Sequence, residues 1–330
     1  MLPLDVFGLG SIRQDNIYSL EGSQSGSEHP ARLVASASGG PAINTIFGLV
    51  RLGLNCGVSG AVGADTAGRL MLDELIKGGI ETSLVEVVEE AATDNSIILY
   101  GQESGNLSYH CVGAGSNWIP NEELICCLNK TSVVHVAGLA SELQLAALVD
   151  IITKISPETR LTLMISECEA GWGIKAYAPL IARSAVVFAS KRAIEKLTGK
   201  NFKRSMRICR NLGAQTVAIF LSCGEETKKI RKKGKAACVS TFICNQDYEC
   251  LIESAIRKWP NVVEVTGAQD AFAAGYIFGM VKNKNIDDCG FIGDILAQFC
   301  LKTPGARDSL PDPRELTERF FQIHREELVI

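Results

Sequence analysis

The stretch NVVEVTGAQDAFAAGYIFGM, residues 261–280, decides how the rest of the chain is read. Its opening, Val262-Val263 to Val265, is apolar and β-branched, as strands are. Thr266-Gly267-Ala268-Gln269 then turns the chain into a long apolar run rich in alanine and glycine, the pattern of a buried helix. A strand that passes through a glycine turn into a helix leaves unpaired N–H groups at the helix start. With the positive end of the helix dipole, these form an anion site. Asp270 falls in that first turn, where a carboxylate is stabilised and can accept a proton from a hydroxyl. Taken alone, such a turn is more often an ordinary helix start than a catalytic one, and the rest of the chain changes the balance.

The frame is set by composition. The 330 residues are 46% hydrophobic and 21% charged, which is ordinary for a soluble globular protein of one large α/β domain or two smaller ones. A net charge of −4 gives no reason to expect nucleic acid or an anionic membrane as partner. The opening MLPLDVFGLG reads as a first strand rather than a signal peptide, and no apolar run reaches membrane-spanning length. The 12 cysteines show no CxxC spacing, so they read as reduced, mostly core thiols of a cytoplasmic protein. His29, His110, His135 and His324 have no metal-ligand spacing, and no protein metal site is expected.

Several stretches offer polar groups to a ligand. Gly8 and Gly10 lack the third glycine of a dinucleotide fingerprint, since Arg13 occupies its place. Asp15, directly after the first strand, reads equally as a holder of sugar hydroxyls or as a turn residue. Glu21 to Pro30 is a polar loop, and ARLVASAS after it is an exposed strand. In GGPAINTIFGLVRLG, Gly39-Gly40 permits close backbone approach and Pro41 suits a helix start. Asn44 then falls in the first turn, as a capping residue or a polyol ligand. Strand CGVSGAVG, Asp65 and a helix from Ala67 to Lys77 follow.

The order GLGS, Asp15, GGPAIN, GAVGAD, VTGAQDAFAAG and TPGARDSLP resembles the ribokinase-like (PfkB) sugar kinase family along essentially the whole chain. The resemblance implies a single domain over 1–330: a three-layer α/β/α sandwich with a mostly parallel central sheet and a small β-sheet lid. Lid strands would be inserted from about 12–37 and 95–115. The residues agree, since Ser96–Tyr100 and Leu107–Cys111 alternate around a turn at 103–106. Elsewhere strands alternate with helices, which implies a parallel sheet with ligands beyond its carboxyl ends. His135, inside the strand Val133–Val136, reads as a hydrogen-bonded core residue.

By the same resemblance Asp270 matches the general base, and Gly267, Ala268 and Gln269 match the anion hole. Asp15, Gly39, Gly40 and Asn44, with Asp65, match the sugar side, and Ser190, Ser222, Gly224 and Thr266 border the nucleotide. The implied ligands are ATP, Mg²⁺ carried by phosphates and water, and a sugar or polyol; lid-to-lid homodimers are also implied. No lysine-bearing P-loop occurs, so the Gly267 turn must be the main phosphate cradle if the chain is a kinase. Three departures cluster on the phosphate side. Gln269 replaces a glycine, Ser190 and Ala193 stand where the family has an N-x-x-E pair, and Phe220-Leu221-Ser222 replaces T-L-G. The basic run Thr227–Lys235 reads as a solvated hairpin, as do Lys191 and Arg192 as solvated helix residues. Tyr100, Tyr109 and Trp118 read as ligand-packing or as lid core. Two alternatives stay beside a sugar kinase: a nucleoside kinase, and a sugar- or metabolite-binding protein that has lost the chemistry.

Overall fold

The computed structural model describes residues 3–20, 29–101, 105–221, 240–253 and 267–330. Nine strands form the larger sheet: β1 (Val6–Leu9), β4 (Cys56–Gly63), β5 (Glu81–Val88), β8 (Val133–Ala137), β9 (Arg160–Ile165), β10 (Ser184–Ser190), β11 (Thr216–Leu221), β12 (Ser240–Cys244) and β13 (Glu249–Glu253). Their spatial order is β13-β12-β11-β10-β9-β8-β1-β4-β5. From β11 to β5 neighbours run parallel, while β12 and β13 pair antiparallel at one edge.

Both faces of this sheet are covered, which is why its strands read as nearly continuous apolar runs. Adjacent residues point to opposite layers. Val6, Val133, Val186 and Ala218 pack on one side with helices α1 (Pro41–Arg51), α2 (Thr66–Lys77), α8 (Ala268–Val281), α9 (Ile286–Cys300) and α10 (Pro313–His324). Phe7, Val134, Val187 and Val217 pack on the other with α3 (Glu123–Leu128), α4 (Glu142–Lys154), α5 (Ile174–Arg183), α6 (Lys191–Thr198) and α7 (Phe202–Leu212). The three-layer sandwich expected from the sequence is therefore present. His135 is buried in it, its Nδ1 3.0 Å from Thr162 Oγ1, and burial lowers its pKa to about 3, so it stays a neutral core residue.

Helix α8 is the inner member of its layer. Nearly every residue from Ala268 to Gly279 is buried, as expected of a helix that is apolar all round. Phe272 meets Phe188 and Phe220 edge-on at centroid distances of 6.4 and 6.3 Å. On the far side the α8 backbone touches that of α9 at Gly275 and Gly293.

A separate small sheet holds β2 (Arg13–Leu20), β3 (Ala31–Gly39), β6 (Asp94–Gly101) and β7 (Gly105–Cys111), in the order β3-β2-β6-β7. Two antiparallel hairpins are joined through parallel pairing of β2 with β6. The base of β3 is tied to the chain's last third. Arg307 Nη2 donates to Glu74 Oε1 at 2.9 Å while its guanidinium lies 4.0 Å above the Phe47 ring. Glu74 Oε2 in turn accepts from Ser38 N at 3.0 Å and Ser38 Oγ at 2.6 Å.

Three sequence readings change here. Trp118 is core rather than ligand-packing, at 2% exposure. Of the ten free cysteines described, five are buried, and Cys111, Cys126 and Cys168 are exposed, so the thiols are not mostly core. Asp65 does not reach the sugar side. It caps α2 through Gly68 N at 2.7 Å and holds Thr93 Oγ1 at 2.6 Å. The strand expected over 262–265, the tip of the 96–111 hairpin at 102–104 and the basic run 227–235 lie outside the described residues.

The α8–α9 contact yields a test. A methyl group on Gly275 would lie 2.7 Å from both Gly293 Cα and the Ile292 carbonyl oxygen. Gly275→Ala should cost about 1–3 kcal/mol of overpacking, read as a lower urea midpoint. A midpoint equal to wild type would mean that the two helices separate freely.

Candidate active site

The order of the large sheet reverses between β1 and β8, and a crevice opens beyond their carboxyl ends. Ser11, Gly138, Ser166 and Ser190, at or just past the ends of β1, β8, β9 and β10, line a cleft of about 690 Å³. Arg13, Asp94, Ser108 and His110 line it from the small sheet, and Gln269 from the start of α8.

Two helix N-termini meet here. Gly40 precedes α1 with φ 108°, and a Cβ on it would sit 2.3 Å from the Ser11 carbonyl oxygen, so only glycine fits. Gly267 precedes α8 with φ 79°, and a Cβ there would meet the Ala306 side chain at 2.3 Å. Among the described residues no side chain caps the opening of α8, so the N–H groups of its first turn have no side-chain acceptor there. Asn44, in the first turn of α1, donates from Nδ2 to Asp270 Oδ2 at 2.8 Å. Both residues are almost completely buried. Burial pushes the Asp270 carboxyl up to about 6, against the opposing pull of the Asn44 hydrogen bond and the Arg13 charge.

Asp15 lies on β2, buried, and accepts hydrogen bonds from Ser96 Oγ and, at 3.1 Å, from Arg13 Nε. Its carboxylate fills the space beside Gly39. A Cβ on that glycine would stand 2.0 Å from Asp15 Oδ2, which is the steric reason for glycine at the end of β3. The Asp15 charge is close enough to add to the rise in the Asp270 pKa.

On the nucleotide side the arrangement is thinner. Ser190 lines the cleft, yet its Oγ accepts from Ala193 N at 3.0 Å and so caps α6. Ala193 is fully buried, and Glu195 accepts from Phe202 N at 2.9 Å, which engages it with α7. Arg192 is exposed, and Lys191 sits 5.6 Å over the Phe202 ring, as side chains of a helix surface do. Ser222, Gly224 and Thr266 lie outside the described residues. Among those described, no three His, Cys, Asp or Glu side chains gather to hold a metal.

The sequence reading passed over three cleft residues, Arg13, Glu169 and Asp94, and the buried Ser96 beside Asp15. Arg13 stands two positions from Asp15 on one strand, and that spacing alone puts both on one face. Glu169, 2% exposed, accepts from Ser166 N at 2.8 Å and from Leu139 N, and so ties the ends of β8 and β9. Asp94 accepts from Gly113 N and Gly115 N at 2.7 and 2.8 Å. Ser96 faces Asp15 across the β2–β6 pairing, which no local pattern announces.

A mostly parallel open sheet with paired helix N-termini, a buried carboxylate and a small sheet across the crevice is the arrangement of an α/β protein that binds its ligand at a switch point. The chain belongs to the pfkB family of carbohydrate kinases, whose model matches residues 5–313, and is thereby a kinase with an alcohol acceptor. It is 25% identical over 272 residues to an uncharacterized sugar kinase of Archaeoglobus fulgidus, covering 80% of this chain and 98% of that one. The fold is also that of the adenosine kinase of Sinorhizobium meliloti, at TM-score 0.78 and 17% identity, with 97% and 99% of the two chains covered. Arabidopsis thaliana ribokinase complexed with ribose and ATP matches at TM-score 0.74 and 18% identity, over 96% and 98%. No described helix is long and apolar enough to cross a membrane.

The raised Asp270 carboxyl makes a stability prediction independent of activity. Its folded value, about 6, lies above the ordinary 3.8, so its contribution to stability is full below about pH 4 and is lost as pH rises through 6. Asp270→Asn cannot ionise. It should be more stable than wild type at pH 7.5, by up to about 3 kcal/mol for a two-unit shift, with the gain fading towards pH 4. Parallel denaturation curves across that pH range would contradict a buried, ionising Asp270.

Proposed function

We propose that this chain transfers the γ-phosphoryl group of ATP to a hydroxymethyl group of a sugar or related polyol. Asp270 serves as general base and the Gly267–Gln269 turn as the anion hole. The observation that carries the reading is a buried carboxylate in the uncapped first turn of a buried helix, fixed by Asn44 at 2.8 Å. The whole chain is taken as one domain, with the small sheet as its lid.

The residues divide the work as follows. Asp15, held by Arg13 and Ser96, and the backbone at Gly39 and Gly40 bind and orient the hydroxyls that do not react. Asp270, with a value near 6, is mostly ionised at neutral pH and accepts the proton of the reacting hydroxyl. Asn44 holds the carboxylate in place while it does so. The N–H groups at the α8 start stabilise charge on the phosphoryl oxygens, and the Gln269 amide, on the cleft wall, adds a donor. Nucleotide-side contacts are assigned to Ser190, Ser222, Gly224 and Thr266. Mg²⁺ supplies charge neutralisation as the nucleotide's companion, held by phosphates and water rather than by a protein cage.

Asp270→Asn should lower turnover about 10²–10⁴-fold, the range for loss of a general base, while sugar binding persists. In wild type, kcat/KM should fall as pH drops below about 6. Turnover at the wild-type rate in the variant would remove Asp270 from the mechanism.

One observation favours a second reading, a sugar- or metabolite-binding protein without phosphoryl transfer: Ser190, Ala193 and Glu195 are all engaged in structure rather than offered to metal or phosphate. A screen for ADP release against a sugar and nucleoside panel separates the readings. ADP release dependent on one sugar supports the kinase; preference for a purine nucleoside shifts the acceptor class; binding without ADP supports the second reading.

Two further parts of the proposal concern partners and place. The free thiols suit the cytoplasm. Ile97, Leu107 and Tyr109, 36%, 45% and 56% exposed, lie on the small-sheet face away from the cleft, and this face is assigned to a lid-to-lid homodimer. The double variant Ile97→Asp/Tyr109→Asp should sediment as a monomer where wild type sediments as a dimer. A wild-type monomer would end that assignment.

A further inference from the structure

Among the described residues that line the cleft, Arg13 is the single lysine or arginine. Its side chain is 18% exposed, and Nε donates to Asp15 Oδ1 at 3.1 Å. Its two terminal nitrogens make no hydrogen bond to any described residue. The surrounding carboxylates do not account for them. Asp94 is served by the N–H groups of Gly113 and Gly115, Glu169 by those of Leu139 and Ser166, and Asp270 by Asn44. An arginine kept three-quarters or more out of water needs partners for its planar fork, and carboxylates or phosphates match that fork with two parallel hydrogen bonds. A single neutral hydroxyl takes one such bond and leaves the other terminal nitrogen of the fork unmet. Ser108 and His110 line the same side of the cleft and offer further polar contacts.

We propose that Arg13 is a specificity-determining residue that receives an anionic substituent of the substrate, a carboxylate or a phosphate monoester. The acceptor is then a sugar acid or a sugar phosphate rather than a neutral sugar. This deepens the kinase reading, because it names the substrate class for the same cleft.

Binding and turnover are read separately. Thermal shifts of the full chain are measured with matched sets of neutral sugar, the corresponding aldonate and the corresponding sugar phosphate, beside inorganic phosphate. ADP release is followed on the same sets. At least one anionic member should raise the midpoint where its neutral counterpart does not, and the aldonate and phosphate arms distinguish the two anions. Affinity for it should fall about tenfold or more in Arg13→Met and less in Arg13→Lys, as expected when a site built for hydrogen bonds loses its donor. The midpoint of each ligand-free variant is recorded, and the wild-type preference decides the matter even where a variant folds poorly. Equal binding of neutral and anionic sugars, no binding of either, or stabilisation by inorganic phosphate as strong as by the sugar anions would overturn the inference. Selective binding without ADP release would leave it standing and remove the kinase reading. ADP release that is greatest with a neutral sugar would do the reverse.

Discussion

The hydrogen bond from Asn44 to Asp270 is the constraint on which the site depends. It joins the first turns of two helices that are 226 residues apart in sequence, inside a region from which water is almost absent. A buried carboxylate without a donor would be driven to the neutral acid. With one donor it stays poised near 6. The surrounding fold serves this arrangement. The double glycine lets α1 begin against Ser11, the αL residue Gly267 lets α8 begin against Ala306, and the aromatic packing of Phe272 keeps α8 from rotating.

Much of the architecture was legible in the sequence because it is periodic. Strands covered on both faces give runs such as Val133–Val136, and a helix buried all round gives the alanine- and glycine-rich pattern after Gly267. Pairing between distant strands has no such signature. The parallel register of β2 on β6 brings Ser96 to Asp15 across 81 residues, and nothing local in either segment foretells it.

The site was legible as residue types and less so as contacts. Asp270 and Gly40 adjoin the cleft-lining Gln269 and Pro41, and Asp15 pairs with the cleft-lining Arg13, yet none of the three lines the cleft itself and Asn44 faces Asp270 rather than open cleft. Asp65 matched a sugar-side motif, but its carboxylate is engaged by Gly68 and Thr93. A helix-capping acid and a ligand-binding acid follow a glycine in the same way, and only the tertiary structure separates them. Ser190 shows the same ambiguity, being on the cleft wall and capping α6 at once. Arg13 was read as the absence of a glycine rather than as a group in its own right.

Arg307 has a thermodynamic consequence. Through Glu74 and Ser38 it grips the last residues of β3, and its neighbour Ala306 packs on Gly267 at the start of α8. The strand and the turn to which the proposed function assigns the acceptor and the phosphates therefore hang on one short stretch of chain. On that assignment a ligand that tightens either end alters the work of ordering the other, and the effect is reciprocal, so the proposal carries linked rather than separate affinities for the two substrates.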